Sequence, residues 1–149
     1  MTNDFDFLVG SWNVHNRRLL KRLVGSDEWV EFTVPATNWG LFDGMANVDE
    51  MSLPDGTKGL TLRLLDRATG NWSLYWASSE SGRLFPPVVG RFADGRGVFY
   101  GDDTEAGTPV RVRFVWSDMT PNSARWEQAF SVDGGASWEV NWVMRFSRI

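Results

Sequence analysis

The sequence predicts an all-β chain folded as a single antiparallel up-and-down β-barrel of about eight to ten strands. Three observations lead there. Apolar and polar residues alternate from one end to the other, and few windows carry a helical period. Turn-forming residues separate the alternating blocks at short intervals, as hairpin connections require. The 9 Trp and 10 Phe among 149 residues supply an apolar sheet face that must be covered, and a sheet without helices can cover it by closing on itself.

In chain order, strands are read at 11–23, 28–35, 41–51, 60–67, 72–78, 88–92, 98–101, 110–116, 124–132 and 138–146. Gly25-Ser26, Pro54-Asp55-Gly56, Thr69-Gly70-Asn71, Ser81-Gly82, Asp94-Gly95, Thr120-Pro121-Asn122 and Asp133-Gly134-Gly135 provide the turns. The clearest alternation is Val110-Arg111-Val112-Arg113-Phe114-Val115-Trp116, apolar at even positions with both arginines odd. Asp102-Asp103-Thr104-Glu105 reads as a solvated loop. The stretch 79–87, with two prolines and Phe85, is the longest connection and a candidate lid over a barrel mouth. Asp-Gly pairs recur evenly at 55, 94 and 133, but their flanks do not align and three units fall short of a propeller. Residues 1–149 are therefore read as one barrel domain.

A register slip of one residue turns every side chain to the opposite face, so parity is informative. Keeping Trp126, Phe130 and Val132 on one face with Trp138, Val140 and Trp142 sets Val132 opposite Trp138, Phe130 opposite Val140 and Gln128 opposite Trp142. The preceding hairpin then sets Phe114 opposite Trp126 and, on the other face, Arg113 opposite Glu127 as an ion pair. The aromatic face is expected to point inward, with Arg111, Arg113, Arg125, Glu127, Glu139 and Arg145 outside. With the faces inverted, the same groups and Asn141 would make a polar interior suited to an acidic substrate.

Charge and composition exclude several classes. With 15 basic and 19 acidic side chains, a net charge of −4 argues against a sequence-independent grip on phosphate backbones, so no nucleic-acid partner is expected. No run of eighteen apolar residues and no basic-then-apolar start is present, which predicts no membrane span and a cytoplasmic location. Cysteine is absent and His15 is the sole histidine, so thiolate and multi-histidine metal centres are excluded and no metal is expected. Phosphate-cradle, nucleophile-elbow and zinc spacings are missing as well.

Phe7-Leu8-Val9-Gly10-Ser11-Trp12 places Gly-x-Trp at the first strand, and the last strand carries Arg145 and Arg148. Together with Asn47-Val48-Asp49-Glu50, Pro86 to Phe92, Arg125 to Ser131 and Asn141-Trp142-Val143-Met144, these segments resemble the lipocalin and calycin superfamily, and more closely a family of uncharacterised bacterial lipocalin-like proteins. The resemblance spans nearly the whole chain. It implies a Trp at the closed end of a barrel under an Arg from near the chain's end, a cation over an indole face. It also implies binding of a small apolar molecule, or, as in a few such barrels, cyclase or isomerase activity in natural-product pathways. Haem barrels of the nitrobindin kind carry an axial histidine toward the C-terminal end. The final strands here have none, so no haem or other cofactor is expected.

Candidate ligand-binding residues are Trp76, Phe114, Trp126, Phe130, Trp138 and Trp142, with Gln128 and Asn47, and also Asn16 and Asn141, to orient a bound molecule. The same rings could instead fill the barrel solid. His15 has the parity opposite to Trp12, which points it outward. Asp43, Asp49 and Glu50 lie close in sequence, and carboxylates without histidines seldom select a metal. Three hypotheses stand: a barrel binding a small apolar or aromatic molecule; an enzyme on that barrel, with His15, Asp49 and Glu127 as catalytic proton-transfer groups; and a filled barrel whose Trp29 and Trp39 make a homodimer contact.

Overall fold

Residues 4–149 are described by a computed structural model. Ten strands form one closed antiparallel barrel in which each strand pairs with the next and the last with the first. They are β1 Gly10–Leu19, β2 Trp29–Leu41, β3 Ala46–Ser52, β4 Lys58–Leu65, β5 Trp72–Ser78, β6 Val88–Ala93, β7 Arg96–Glu105, β8 Thr108–Ser117, β9 Ser123–Ser131 and β10 Glu139–Arg148. The expected fold class holds; most boundaries shift by one or two residues, β1 ends at Leu19 rather than 23, and three further differences have clear local reasons.

Pro35 was expected to end a strand, yet β2 runs through it to Leu41. The ladder to β3 starts only at Ala36, so Pro35 sits where β2 has a neighbour on one side, the position a strand proline tolerates. The block 41–51 is interrupted by a single 3-10 turn, Phe42–Gly44, before β3. Asp102-Asp103-Thr104-Glu105 is not a loop. It extends β7 to the two-residue turn Ala106-Gly107, both at positive φ (50° and 83°), which sends the chain into β8 as a tight hairpin.

One end of the barrel is sealed by a 3-10 turn, Asp6–Leu8, which carries Phe5, Phe7 and Leu8 across the floor. Phe5 packs edge-on against Trp72 and Phe92, both at 4.9 Å between centroids, an arrangement that favours ring edges against ring faces. Trp12 lies beside this plug, 1% exposed, and its Nε1 donates to the Leu8 carbonyl at 2.8 Å. Arg148 stacks on the Trp12 ring at 4.0 Å. Its guanidinium donates to the carbonyls of Phe7 (2.7 Å), Val9 (2.8 Å) and Pro121 (2.9 Å), so one side chain ties both termini and a loop to the floor. Gly10 makes room for it: φ is +120°, and a Cβ there would lie 2.6 Å from Arg148 Nη1.

The registers settle which face looks inward. In β8 and β9 the even positions do, as expected, although the hairpin pairs Phe114 with Gln128 and Trp116 with Trp126, two residues from the expected register. An even slip preserves faces, so the aromatic assignment survives while the Arg113–Glu127 pair does not form. Glu127 instead takes its ion pair from Arg125 on the same strand. In β10, Gln128 faces Trp142 as expected, but a bulge between Val140 and Trp142 inserts one residue. Before the bulge the alternation is inverted. Trp138 and Val140 were expected inside; Trp138 in fact lies on the outer wall, under Arg113 (4.5 Å) and beside Tyr100 (6.0 Å). Val132 is 59% exposed rather than inward.

The turn before that bulge is organised by Asp133. Its carboxylate accepts hydrogen bonds from the Ser137 and Ser131 hydroxyls and the Ser137 amide, which hold its pKa at about 2 against an ordinary 3.8. A carboxylate with a lowered folded pKa stabilises the fold above its unfolded value and loses that contribution as pH falls through its folded value. The stability gap between the wild type and Asp133→Asn, measured by urea unfolding, is expected to shrink between pH 3.8 and about 2.

Candidate functional site

Above the aromatic floor the barrel encloses a cavity of about 680 Å³, open at the end opposite the plug. All ten strands contribute to its lining, and the aromatic part of the wall is the inward face of β5, β8, β9 and β10. Trp126 stands edge-on to Phe114 (5.0 Å) and Trp142 (5.7 Å), and Trp142 edge-on to Trp76 (6.2 Å). These edge-to-face contacts join the four rings into one continuous aromatic surface. Trp142 is held by a hydrogen bond from its Nε1 to Asn16 Oδ1 (2.8 Å), and Gln128 by one from its Nε2 to Asn141 Oδ1 (2.8 Å). Of the expected lining residues, Trp76, Phe114, Trp126, Gln128, Phe130 and Trp142 line the cavity, and Trp138 does not.

Trp76 has its place because the second residue of β4 is a glycine. Gly59 faces the lumen, and a Cβ there would sit 1.9 Å from the tip of the Trp76 indole, which occupies the space a side chain would need. Gly59→Val must swing that indole toward the lumen. It is expected to weaken binding of a flat aromatic probe by about tenfold or more, read by a fluorescence titration.

The cavity's inner end is polar, and sequence reasoning missed most of it. Arg63 pairs with Asp49 at 2.7 Å, with side chains only 6% and 13% exposed. Arg63 Nη1 also donates to Asn47 Oδ1 (2.8 Å), which accepts a second hydrogen bond from Asn38 Nδ2 (2.9 Å). Strand register assembles this group: Asn38 lies opposite Asp49, Asn47 opposite Arg63, and Asp49 opposite Thr61. The guanidinium rests over Phe5 (5.4 Å) and Trp116 (5.7 Å), a site where burial of a cation is offset by ring faces as well as by the carboxylate. Asn47 thus stands behind Arg63 and does not line the cavity.

The misleading signal was Leu60-Thr61-Leu62-Arg63-Leu64. Its leucines look like the buried parity, yet they lie outside, with Leu60 39% exposed. A usable signal was the hairpin to β5: once Trp72, Leu74 and Trp76 face inward, the residue opposite Leu74, Arg63, must do so too.

At the mouth, Arg18 lies over the Trp142 ring at 4.3 Å and Arg22 over Phe130 at 5.4 Å, with Glu105 3.7 Å from Arg22. Burial lowers both guanidinium pKa values from their ordinary range, against the opposing pull of Glu105. Phe85 and Pro86 of the 79–87 connection also line the mouth, and Phe85 N donates to the Trp76 carbonyl at 2.7 Å. That connection crosses the shortest ladder of the barrel, since β5 and β6 pair only from Trp72 to Leu74.

The three proton-transfer candidates are not brought together. His15 is on the outer wall, bonded to Thr33 Oγ1 (3.1 Å) and Glu31 Oε1 (2.9 Å), and Glu127 is outside with Arg125. Asp49 alone reaches the lumen. Glu50, next to it, turns outward to Lys58 (3.9 Å). Of the two Trp residues expected at a dimer contact, Trp29 is covered by Arg17 at 4.1 Å and Trp39 is 51% exposed.

No protein-family model matches this chain, and no curated protein does. Among the described residues, no helix is long and apolar enough to cross a membrane.

Proposed function

We propose that this chain is a lipocalin-like binding barrel that takes up one small apolar or aromatic molecule. The observation that carries the reading is the lumen itself: about 680 Å³, within the ordinary range for small-molecule pockets, with Trp76, Phe114, Trp126 and Trp142 on its wall. Small barrels commonly fill this space with side chains. Here the plug of Phe5, Phe7 and Leu8 stops at the floor, and the wall rings pack edge to face around an open lumen. Broad apolar faces bind flat molecules by area, and a few buried polar groups orient them. The dispersal of His15, Asp49 and Glu127 over two faces of the wall favours binding over proton-transfer catalysis.

A titration with N-phenyl-1-naphthylamine, an uncharged fluorescent probe, tests the proposal. Saturable enhancement at one equivalent, with quenching of Trp emission, is expected. A probe signal that never saturates, with Trp emission unmoved by a set of flat aromatic compounds, would refute it.

A further inference from the structure

We infer that the lumen selects an uncharged ligand: an apolar or aromatic body with, at its inner end, one group that both donates and accepts a hydrogen bond, as a primary amide or lactam does. The inference rests on the binding-barrel reading and adds the chemical class of the ligand.

The floor pair carries the argument. Arg63 Nη1 meets Asp49 Oδ2 at 2.7 Å, and the aligned hydrogen bond of that nitrogen goes to Asn47, so each of the paired groups retains hydrogen-bonding capacity. The Asp49 carboxylate accepts no aligned hydrogen bond from any described residue, and neither of its oxygens is sealed from contact. Its residual 13% exposure, on this face of β3, is exposure to the lumen. Arg63 commits Nη1 to Asp49 and Asn47, and its Nε is sealed without a partner. Nη2 is neither bonded to a described residue nor sealed, which leaves it as a donor at the cavity's inner end. An acceptor and a donor thus lie side by side beneath an aromatic wall. That is the complement of an amide edge, whose N–H meets the carboxylate and whose carbonyl meets the guanidinium.

Charge decides against the ionic alternatives. The pair is internally neutral, and its other partners, Asn47 and Asn38, are neutral too. A carboxylate brought to Arg63 meets Asp49 at nearly the same range, so attraction and repulsion largely cancel while the full desolvation cost remains. An ammonium brought to Asp49 meets Arg63 in the same way. An uncharged amide incurs neither penalty and satisfies both groups. Asp49 is therefore the specificity-determining residue: neutralising it would expose the Arg63 charge and invite an anion.

Three probes of one shape separate these outcomes by calorimetry on the full chain: naphthalene, 2-naphthamide and 2-naphthoate. On the wild type, 2-naphthamide is expected to bind about tenfold or more tighter than either of the others. In Asp49→Asn, with folding checked by thermal melting, 2-naphthoate is expected to gain about tenfold and overtake 2-naphthamide. Equal binding of all three probes to the wild type, or 2-naphthoate as its tightest ligand, overturns the inference while leaving the binding barrel intact. So does a folded Asp49→Asn whose 2-naphthoate affinity is unmoved. Binding of none of the three overturns the binding reading itself. The wild-type comparison decides the matter even if the variant does not fold.

Discussion

Arg63→Met is expected to lower the stability of the barrel by about 3 kcal/mol, because it leaves the Asp49 carboxylate, 13% exposed inside the barrel, without its counter-charge. For a chain of this length that corresponds to a fall in Tm on the order of 10 °C. The double variant Asp49→Leu, Arg63→Met removes both charges and is expected to recover most of the loss, since an apolar pair of similar volume has no desolvation to offset. A double-mutant cycle by urea unfolding measures the coupling. If the single and double variants lose equal stability, the pair is not the buried, mutually compensated unit described above. The same pair would then be a poor basis for ligand selection, so this measurement bears on the floor's chemistry without requiring any ligand.

The other large effect is expected at the closed end. Trp12→Ala removes a ring that is 1% exposed, and truncation of a buried Trp costs about 3–5 kcal/mol. Two further groups lose their partners: the Leu8 carbonyl its indole donor, and the Arg148 guanidinium the ring beneath it. The loss should therefore be spatially uneven. Hydrogen exchange is expected to show the amides of Leu8 and Val9, bonded to Phe5 and Asp6, opening well before those of β8 and β9. Trp39→Ala, on the outer wall, should change stability by no more than about 0.5 kcal/mol. Equal effects from the two substitutions would mean that the plug contributes no more than an exposed side chain.

Alternation carried the architecture because burial on one face leaves a period of two that no helix reproduces, and β8 shows it from Val110 to Arg113. It also named most of the lumen wall, since a register error of two residues between β8 and β9 leaves every side chain on its own face. Trp138 was misplaced because a bulge adds one residue to the count, and nothing in the local composition announces one at Asn141. Arg63 and Asp49 were illegible for a different reason. Hydrophobic patterning assumes that charge faces water, and β3 and β4 reverse the rule where two charges can neutralise one another inside. The outward leucines of β4 show the cost of that reversal on the opposite side of the same strand.

The Arg148 clasp and the β1–β10 ladder join the two ends of the described chain. During synthesis β1 emerges early and must wait, with one row of amides and carbonyls unpaired, until more than a hundred residues later its second neighbour leaves the ribosome. Closure is therefore a late and non-local event, and maturation should be slow for the chain's size, with a nascent intermediate prone to strand-to-strand association at that free edge.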